Sequence, residues 1–104
     1  MPLLRSFDFR REGRLSIKVN IPQFLQGYTN NIKTTAVKGS TIGECLTALI
    51  RQFPRLKKEL FDRDGNLRSY LTIWVNKEGT NATELTESLK KGDELDILPV
   101  IIGG

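Results

Sequence analysis

The sequence predicts an α+β domain in which one mixed β-sheet covers one main helix. Three observations support this prediction: a strand with strict alternation near the start, one strongly amphipathic helix in the middle, and two further strands near the end. A helix with an apolar stripe and strands with one apolar face bury those surfaces against each other. The length of 104 residues suits a single domain.

The first two strands form a hairpin with a long loop. Apolar residues occupy every second position from Leu15 to Ile21, and polar residues lie between them, as in a half-buried strand that Pro22 limits. Residues 32–37 predict the second strand. Lys38-Gly39 predicts the turn that closes it.

The clearest helix signal runs from Thr41 to Phe53. Thr41 and Glu44, three residues apart, form a candidate capping box, and Pro54 ends the helix. A short helical piece follows Pro54, with Leu56, Leu60 and Phe61 turned inward, and Asp64-Gly65-Asn66 is a turn. The stripe of the main helix consists of apolar residues at three- and four-residue spacing: Ile42, Cys45, Leu46, Leu49, Ile50 and Phe53.

Two more strands complete the sheet. The third runs from Tyr70 to Asn76, with its odd-numbered apolar residues on one face and Tyr70, Thr72 and Trp74 on the other. A helical turn is predicted over residues 84–90. Residues 91–93 then turn the chain into the last strand, Glu94 to Val100.

The order of these elements favours the β-grasp arrangement. In that arrangement the helix returns the chain across the sheet by a right-handed crossover, and the last strand lies at the centre, parallel to the first. We therefore divide the chain into a flexible leader (residues 1–14), a β-grasp domain (residues 15–100) and a flexible tail (residues 101–104).

The composition excludes most catalytic machinery. The chain has no histidine and one cysteine, so it cannot by itself build Cys/His zinc sites, Ser-His-Asp triads, Cys-His pairs or internal disulfides. The net charge of +4 is spread along the chain and gives no support for a nucleic-acid partner. No apolar stretch approaches the roughly 18 residues of a membrane span, and charges interrupt Met1 to Arg14 where a signal peptide would be apolar. We expect a cytoplasmic protein without metal, bound cofactor or membrane partner.

The tail is the part of the chain that offers a group for chemistry, its terminal carboxylate. Gly103-Gly104 presents a carboxylate on a thread without side chains, which fits a narrow channel in a partner. A terminal carboxyl, with a pKa of about 3.3–3.7, is ionised in the cell and is a poor electrophile. It would need activation, for example as an acyl adenylate made from ATP by another protein. The alternative is that the two glycines form only a frayed end.

Three segments together resemble a known family. They are Leu71 to Asn76 (LTIWVN), Lys91 to Pro99 (KGDELDILP) and the terminal Gly103-Gly104. In order and spacing they are similar to the ubiquitin-like sulfur carriers of ThiS/MoaD type, and the resemblance covers about residues 15–104.

The resemblance implies that the chain is a carrier and not an enzyme. An E1-like enzyme would use ATP to adenylate Gly104, and sulfur transfer would leave a thiocarboxylate that donates sulfide in amino-acid, cofactor or secondary-metabolite biosynthesis. The implied partners are that E1-like adenylating enzyme and a sulfur-accepting biosynthetic enzyme, and we expect the free carrier to be a monomer. Ile101-Ile102 is bulkier than the small residues often found there, which leaves open which activating enzyme accepts the tail.

Strand alternation predicts a docking patch beside the tail. If Leu71 and Ile73 face the helix, Trp74 lies on the opposite face of the sheet, together with Leu98 and Val100. Exposed contiguous apolar surface usually marks a partner site. We therefore expect Trp74, Leu98, Val100, Ile101 and Ile102 to contact the activating enzyme, although a dimer or the leader would cover the same patch.

Two further features have structural explanations. Cys45 lies on the apolar stripe, which predicts a buried, inert thiol. The basic residues Arg55, Lys57, Lys58 and Arg63 form either a solvated face or a docking site for an acidic partner.

Two other functions remain open at this point. In a protein modifier, the activated Gly104 is joined to lysines of other proteins. In a non-covalent binding module of the same fold, the tail has no role. Deletion of Gly103-Gly104 separates the binding module, which would survive it, from the carrier and the modifier, which would not.

Overall fold

The computed structural model describes residues 15–79 and 85–100, so the predicted leader and tail lie outside the described residues. Within this part of the chain, a five-stranded sheet packs against one main helix. The strands are β1 (Leu15–Asn20), β2 (Thr34–Gly39), β3 (Leu71–Val75), β4 (Glu78–Gly79) and β5 (Glu94–Pro99); the helices are α1 (Ile42–Gln52) and α2 (Lys57–Leu60), and 3-10 turns span Gln23–Tyr28 and Pro54–Leu56.

The last strand lies at the centre of the sheet. The strand order is β2-β1-β5-β3-β4, with β5 parallel to β1 and antiparallel to β3. Val19 pairs with Leu95, and Ile73 pairs with Ile97, so these four side chains share the face that meets α1. The predicted α+β architecture and the central position of the last strand are confirmed.

The core lies between this sheet face and the apolar stripe of α1. Leu46 and Leu49 are fully buried, and Leu56 and Leu60 close the same core from the segment after the helix. Pro54 opens a 3-10 turn and so ends α1, as predicted, whereas Phe61 is only half-buried. The remaining buried apolar residues are Ile17, Val19, Ile21, Leu25, Val37, Ile42, Cys45, Phe53, Leu71, Ile73, Leu89, Leu95 and Ile97.

The start of α1 differs from the predicted capping box and contacts the segment 85–90, which was predicted to be helical. Thr41 Oγ1 accepts a hydrogen bond from the Glu44 N–H at 3.1 Å, as predicted, but the Glu44 carboxylate accepts from the Ser40 N–H at 2.8 Å and not from Thr41. The N–H groups of Ile42 and Gly43 donate to carbonyl groups of residues 87 and 85. Over residues 85–90 the predicted helical turn is therefore wrong, because this segment makes a turn at residues 85–86 and a bridge to Thr41 that satisfies the helix terminus.

Lys38-Gly39 was predicted as a turn, but it is the end of β2, paired with Ser16 and Leu15. A side-chain carbon at Gly39 would lie 2.9 Å from both the backbone nitrogen and the Sγ of Cys45. The glycine is therefore required by the close approach of α1 to the strand. The predicted turn was wrong because a glycine required by close packing cannot be distinguished in the sequence from a glycine required by a turn.

The loops also define where the strands end. Asn76 and Lys77 both have positive φ, 54° and 68°, which gives the two-residue turn typical of tight hairpins. This turn leads into β4, a two-residue strand that is too short to give a pattern in the sequence. Gly65, with φ of 84°, lies in the turn predicted at residues 64–66.

The second strand begins at Thr34 and not at Ile32, because residues 23–28 form a 3-10 turn that holds this loop.

The single cysteine belongs to the core. Cys45 is fully buried in α1, as predicted. Burial, with a smaller contribution from the negative charge of Glu44, raises the pKa of its thiol from 9.0 to about 11. Because the thiolate is the reactive form, this environment makes the thiol inert near neutral pH.

Truncation of the helix stripe should destabilise the fold. We expect Leu49→Ala to lower the free energy of unfolding by about 2–5 kcal/mol, because removal of this fully buried side chain leaves a cavity in the core. Urea denaturation monitored by circular dichroism measures this. Thr47→Ala, an exposed position on the same helix, is the control and should change stability by less than about 0.5 kcal/mol. Equal effects of the two substitutions would contradict the packing of α1.

Alkylation should report the burial of the thiol. We expect iodoacetamide to modify Cys45 at pH 8 at least roughly 100-fold more slowly in the folded protein than in urea, because the raised pKa leaves far fewer thiolates. Intact mass measures the reaction, and rapid alkylation of the folded protein would contradict the assignment.

The same shift predicts a pH dependence of stability. The thiol of the unfolded chain ionises at a lower pH than the buried thiol. The contribution of Cys45 to the free energy of unfolding is therefore complete below pH 9.0 and is lost as the pH rises to about 11. In Cys45→Ala this component of the pH dependence should be absent, whereas an unchanged slope of stability against pH would contradict it.

Candidate functional site

The candidate site lies where β5 leaves the sheet. Val100 is the last described residue before the tail, and its N–H donates to the Tyr70 carbonyl at 2.8 Å. This bond extends the pairing of β5 with β3 by one residue beyond Pro99. The chain is therefore held by the sheet up to four residues before Gly104, and residues 101–104, including Ile101, Ile102, Gly103 and Gly104, lie outside the described part.

The structure brings the described members of the predicted docking patch onto one face. Trp74 is exposed to 36% and Val100 to 41%, and Leu98 is half-buried. Leu98 pairs with Thr72, and Trp74 pairs with Asp96. Leu98 and Trp74 are therefore diagonal neighbours on adjacent strands, on the same face of the sheet. This surface, on the side of the sheet opposite α1, is called the outer face below.

Three further exposed apolar residues lie at the end of the sheet where β5 ends, and the sequence did not indicate them as part of the site. Tyr70 is exposed to 47%, Phe24 to 49% and Ile32 to 39%. Tyr70 flanks Val100, and the β1–β2 loop that holds Phe24 and Ile32 leaves the sheet at the same end as β5, since β1 and β5 are parallel. The alternation of β3 contained the signal for Tyr70, whereas loop residues have no periodicity that would reveal their position.

The outer face is not a continuous apolar patch. Asp96, next to Trp74, is exposed to only 7%. Its Oδ1 accepts from the Asn20 amide at 2.6 Å, and its Oδ2 lies 3.2 Å from the Lys77 Nζ. Glu94 accepts from the same amide group and lies 3.7 Å from Lys77. The predicted patch is therefore apolar only toward the tail, and a polar network occupies its other half.

Lys77 offsets part of the negative charge of Asp96 and Glu94. The hydrogen bond and charge of Asp96, followed by the charge of Glu94, raise the pKa of the Lys77 ammonium group. A buried carboxylate requires such partners, because its desolvation is costly. Among residues 15–79 and 85–100, no cluster of three or more His, Cys, Asp or Glu side chains has an arrangement that could hold a metal ion.

The motif residues near β5 have structural roles. The Asn76 side chain accepts from the Glu94 N–H and donates to Asp93 Oδ1, both at 2.9 Å. The other oxygen of Asp93 accepts from the Lys90 N–H at 2.7 Å, which closes the predicted turn with Gly92 at a φ of 86°. These bonds fix the first residue of β5 against the end of β3. They thereby set the register that places Leu98 and Val100 beside the tail.

Comparison with known proteins identifies the family. The family model described as "ThiS family" matches residues 19–104. The sulfur carrier protein CysO of Mycobacterium tuberculosis is 28% identical over 93 residues, which span 86% of this chain and 100% of CysO. Small archaeal modifier protein 1 of Haloferax volcanii is 35% identical over 65 residues, which span 62% of this chain and 71% of that protein.

Solved structures agree with the sequence comparison. The crystal structure of the Amycolatopsis orientalis BexX/CysO complex contains a chain with a TM-score of 0.73 and 29% identity, covering 85% of this chain and 99% of that one. None of the helices in the described ranges is long and apolar enough to cross a membrane. The central parallel strand, the helix beneath the sheet and the match through Gly104 lead to one conclusion: this chain is a ubiquitin-like β-grasp protein that belongs to the ThiS family.

Proposed function

We propose that this protein is a sulfur carrier that transports sulfur as a thiocarboxylate on Gly104. The observation that carries the proposal is the match to the ThiS family model, which extends through the terminal diglycine. The alignment with the sulfur carrier protein CysO, which spans that whole protein, supports it. The position of Val100 supports it, because this last described residue of the sheet lies four residues before Gly104, so the diglycine follows closely on the folded domain.

The proposed chemistry has two steps. A carboxylate oxygen of Gly104 attacks the α-phosphorus of ATP, and pyrophosphate leaves. Hydrosulfide, or an enzyme-bound equivalent, then attacks the carbonyl carbon of the acyl adenylate, and AMP leaves with the bonding electron pair. The product is a thiocarboxylate in which one oxygen of Gly104 has been replaced by sulfur.

The protein supplies the acyl group and its presentation, and the E1-like enzyme supplies ATP and the catalytic groups. The chain has no histidine, and its one thiol is buried in α1 with a raised pKa. Gly103 and Gly104 have no side chain that would obstruct close approach of a partner's backbone. In this mechanism the chain is a cosubstrate and not an enzyme.

Docking of the E1-like enzyme is assigned to the tail side of the outer face. Trp74, Leu98 and Val100 offer apolar area there, and Ile101-Ile102 would extend that area along the chain toward the diglycine. Tyr70 adds an aromatic side chain beside Val100. A biosynthetic enzyme in the cytoplasm would then accept the sulfide.

Protein modification is the second candidate. The 35% identity to small archaeal modifier protein 1 supports it specifically. The same acyl adenylate would react with a lysine amine of a target protein, and an amide bond to Gly104 would replace the bond to AMP. The two functions share activation and differ only in the nucleophile.

Mass spectrometry tests the carrier function. Incubation with a cognate activating enzyme, ATP and a hydrosulfide source should increase the intact mass by the difference between sulfur and oxygen, and fragmentation should place the change in the last peptide. The physical reason is that the terminal carbonyl is the acyl group that the enzyme can activate.

Two variants control this experiment. Deletion of Gly104 and extension beyond it should each abolish the mass shift, since both remove the carboxylate from its required position. Sulfur on Cys45, or loss of the shift in a folded Cys45→Ser variant, would contradict the carrier mechanism. A shift that corresponds to an amide bond with a target lysine would instead support the modifier.

Trp74 should contribute to docking. We expect Trp74→Ala to weaken binding to the activating enzyme roughly tenfold, or by about 1.4 kcal/mol, because exposed aromatic residues often dominate interfaces. Isothermal titration calorimetry measures the affinity, and circular dichroism verifies the fold. Asn66→Ala is the control, because Asn66 is exposed in the turn after α2, outside the strands that form the outer face. Unchanged affinity of a folded Trp74→Ala variant would remove the outer face from the docking surface.

A further inference from the structure

An open cleft of about 1080 Å³ lies on the side of the domain opposite the outer face. Its floor runs along α1, from Gly43 through Thr47 to Ile50, and Phe61 and Leu85 flank that floor. Ile50, Phe61 and Leu85 are all half-buried, so the cleft offers apolar surface that the core does not cover completely. This feature is called the helix-side cleft.

The rim of the helix-side cleft is strongly basic. Three carboxylates, Glu44, Asp62 and Asp64, also line it. Glu44 accepts from Ser40, and Asp62 Oδ1 accepts from the N–H groups of Asp64 and Asn66, so two of these carboxylates are engaged within the fold. The basic side chains are twice as numerous: Lys38, Arg51, Lys57, Lys58, Arg63 and Arg68.

Most of these cations have no partner in the described part of the chain. The Arg68 guanidinium donates to the Lys58 carbonyl through Nε and Nη2, at 3.0 and 2.8 Å. The other five side chains form no ion pair or hydrogen bond with residues 15–79 or 85–100. They are exposed and spread around the cleft, and their positive charge is therefore available to a ligand.

The cleft fits an acidic protein segment better than a phosphate or a nucleic acid. A phosphate site needs convergent donors, but the N–H groups at the start of α1 are already used by residues 85, 87 and Thr41. A nucleic-acid strand would stack its bases on exposed aromatic rings, whereas Phe61 is half-buried. An apolar floor inside a basic rim complements a segment with apolar side chains in the middle and carboxylates on both sides.

The helix-side cleft is also connected to the tail. Lys57 and Lys58 belong to α2, and the Glu59 carbonyl of that helix accepts from the Tyr70 hydroxyl at 3.4 Å. The Tyr70 carbonyl in turn accepts from the Val100 N–H at 2.8 Å. The α2 side of the cleft therefore lies near the end of the sheet from which residues 101–104 continue.

From these observations we propose that the helix-side cleft binds an acidic, amphipathic segment of a protein partner. Such a partner would leave the outer face free and would lie within reach of the tail. The proposal rests on charge and shape and does not depend on the chemistry proposed for Gly104. It assigns a function to the basic residues Lys57, Lys58 and Arg63.

Fluorescence anisotropy of a labelled synthetic peptide tests the proposal with the full-length protein. The probe is a twelve-residue peptide in which glutamates flank leucine and phenylalanine residues at helical spacing. A second peptide has glutamine at every glutamate position and controls for purely apolar binding. A single-stranded oligothymidine of equal length tests binding of a general polyanion.

A pair of matched variants locates the site. Lys58→Glu/Arg63→Glu reverses two cations of the cleft, and Lys33→Glu/Lys91→Glu makes the same change in charge at exposed positions that do not line it. We expect the cleft variant to bind the acidic peptide at least tenfold more weakly and the control variant to bind within twofold of the original protein. NMR shifts induced by the peptide should centre on Thr47 and Phe61.

Several results would overturn the proposal. They are absence of binding to the acidic peptide, equal weakening in both variants, equal affinity for the glutamine peptide, equal or tighter binding of oligothymidine, and NMR shifts centred on Trp74. Circular dichroism of each variant confirms that it is folded, and binding of the acidic peptide that fails only in the folded cleft variant supports the proposal. The mass shift at Gly104 is measured separately, so failure of either idea is distinguishable from failure of the other.

Discussion

The insertion of β5 between β1 and β3 is the constraint on which the rest of the structure depends. The strand uses its backbone groups on both sides, and Leu95 and Ile97 are almost completely buried against α1. Because it is also the last strand, its far end must point out of the sheet beside the start of β3. The tail therefore continues from a strand that is paired on both sides, and the Val100 N–H is still bonded to the Tyr70 carbonyl.

The polar residues around β5 serve this placement. Asn76 binds both Asp93 and the backbone of Glu94, which fixes where the strand starts. On the outer face, Asp96 is nearly buried and is balanced by Asn20 and Lys77. An unbalanced carboxylate at this position would be costly. The segments Leu71 to Asn76 and Lys91 to Pro99 therefore contain residues that hold the strand, whereas the proposed chemistry belongs to the diglycine that follows it.

The domain offers two surfaces of different character on opposite sides of the sheet. The tail side of the outer face is aromatic and apolar, with Trp74 and Tyr70 exposed. The helix-side cleft is lined by six cations, five of which have no partner among residues 15–79 and 85–100, and by the half-buried apolar residues Ile50, Phe61 and Leu85. If the proposed carrier meets one partner for activation and another for delivery, this separation would let both bind without displacing each other.

The sequence by itself determined the elements whose signals are local. Alternation from Leu15 to Ile21, the stripe of α1 and its cap at Thr41 predicted the strands and the helix, because side-chain periodicity follows directly from backbone geometry. The diglycine and the family resemblance identified the candidate site. Only the tertiary structure revealed that Gly39 is required by contact with Cys45, since that distance joins separate elements. The burial of Asp96, and the grouping of Lys38 and Arg51 with the basic residues after Pro54, were likewise decided by packing, because these residues are far from their neighbours in the chain.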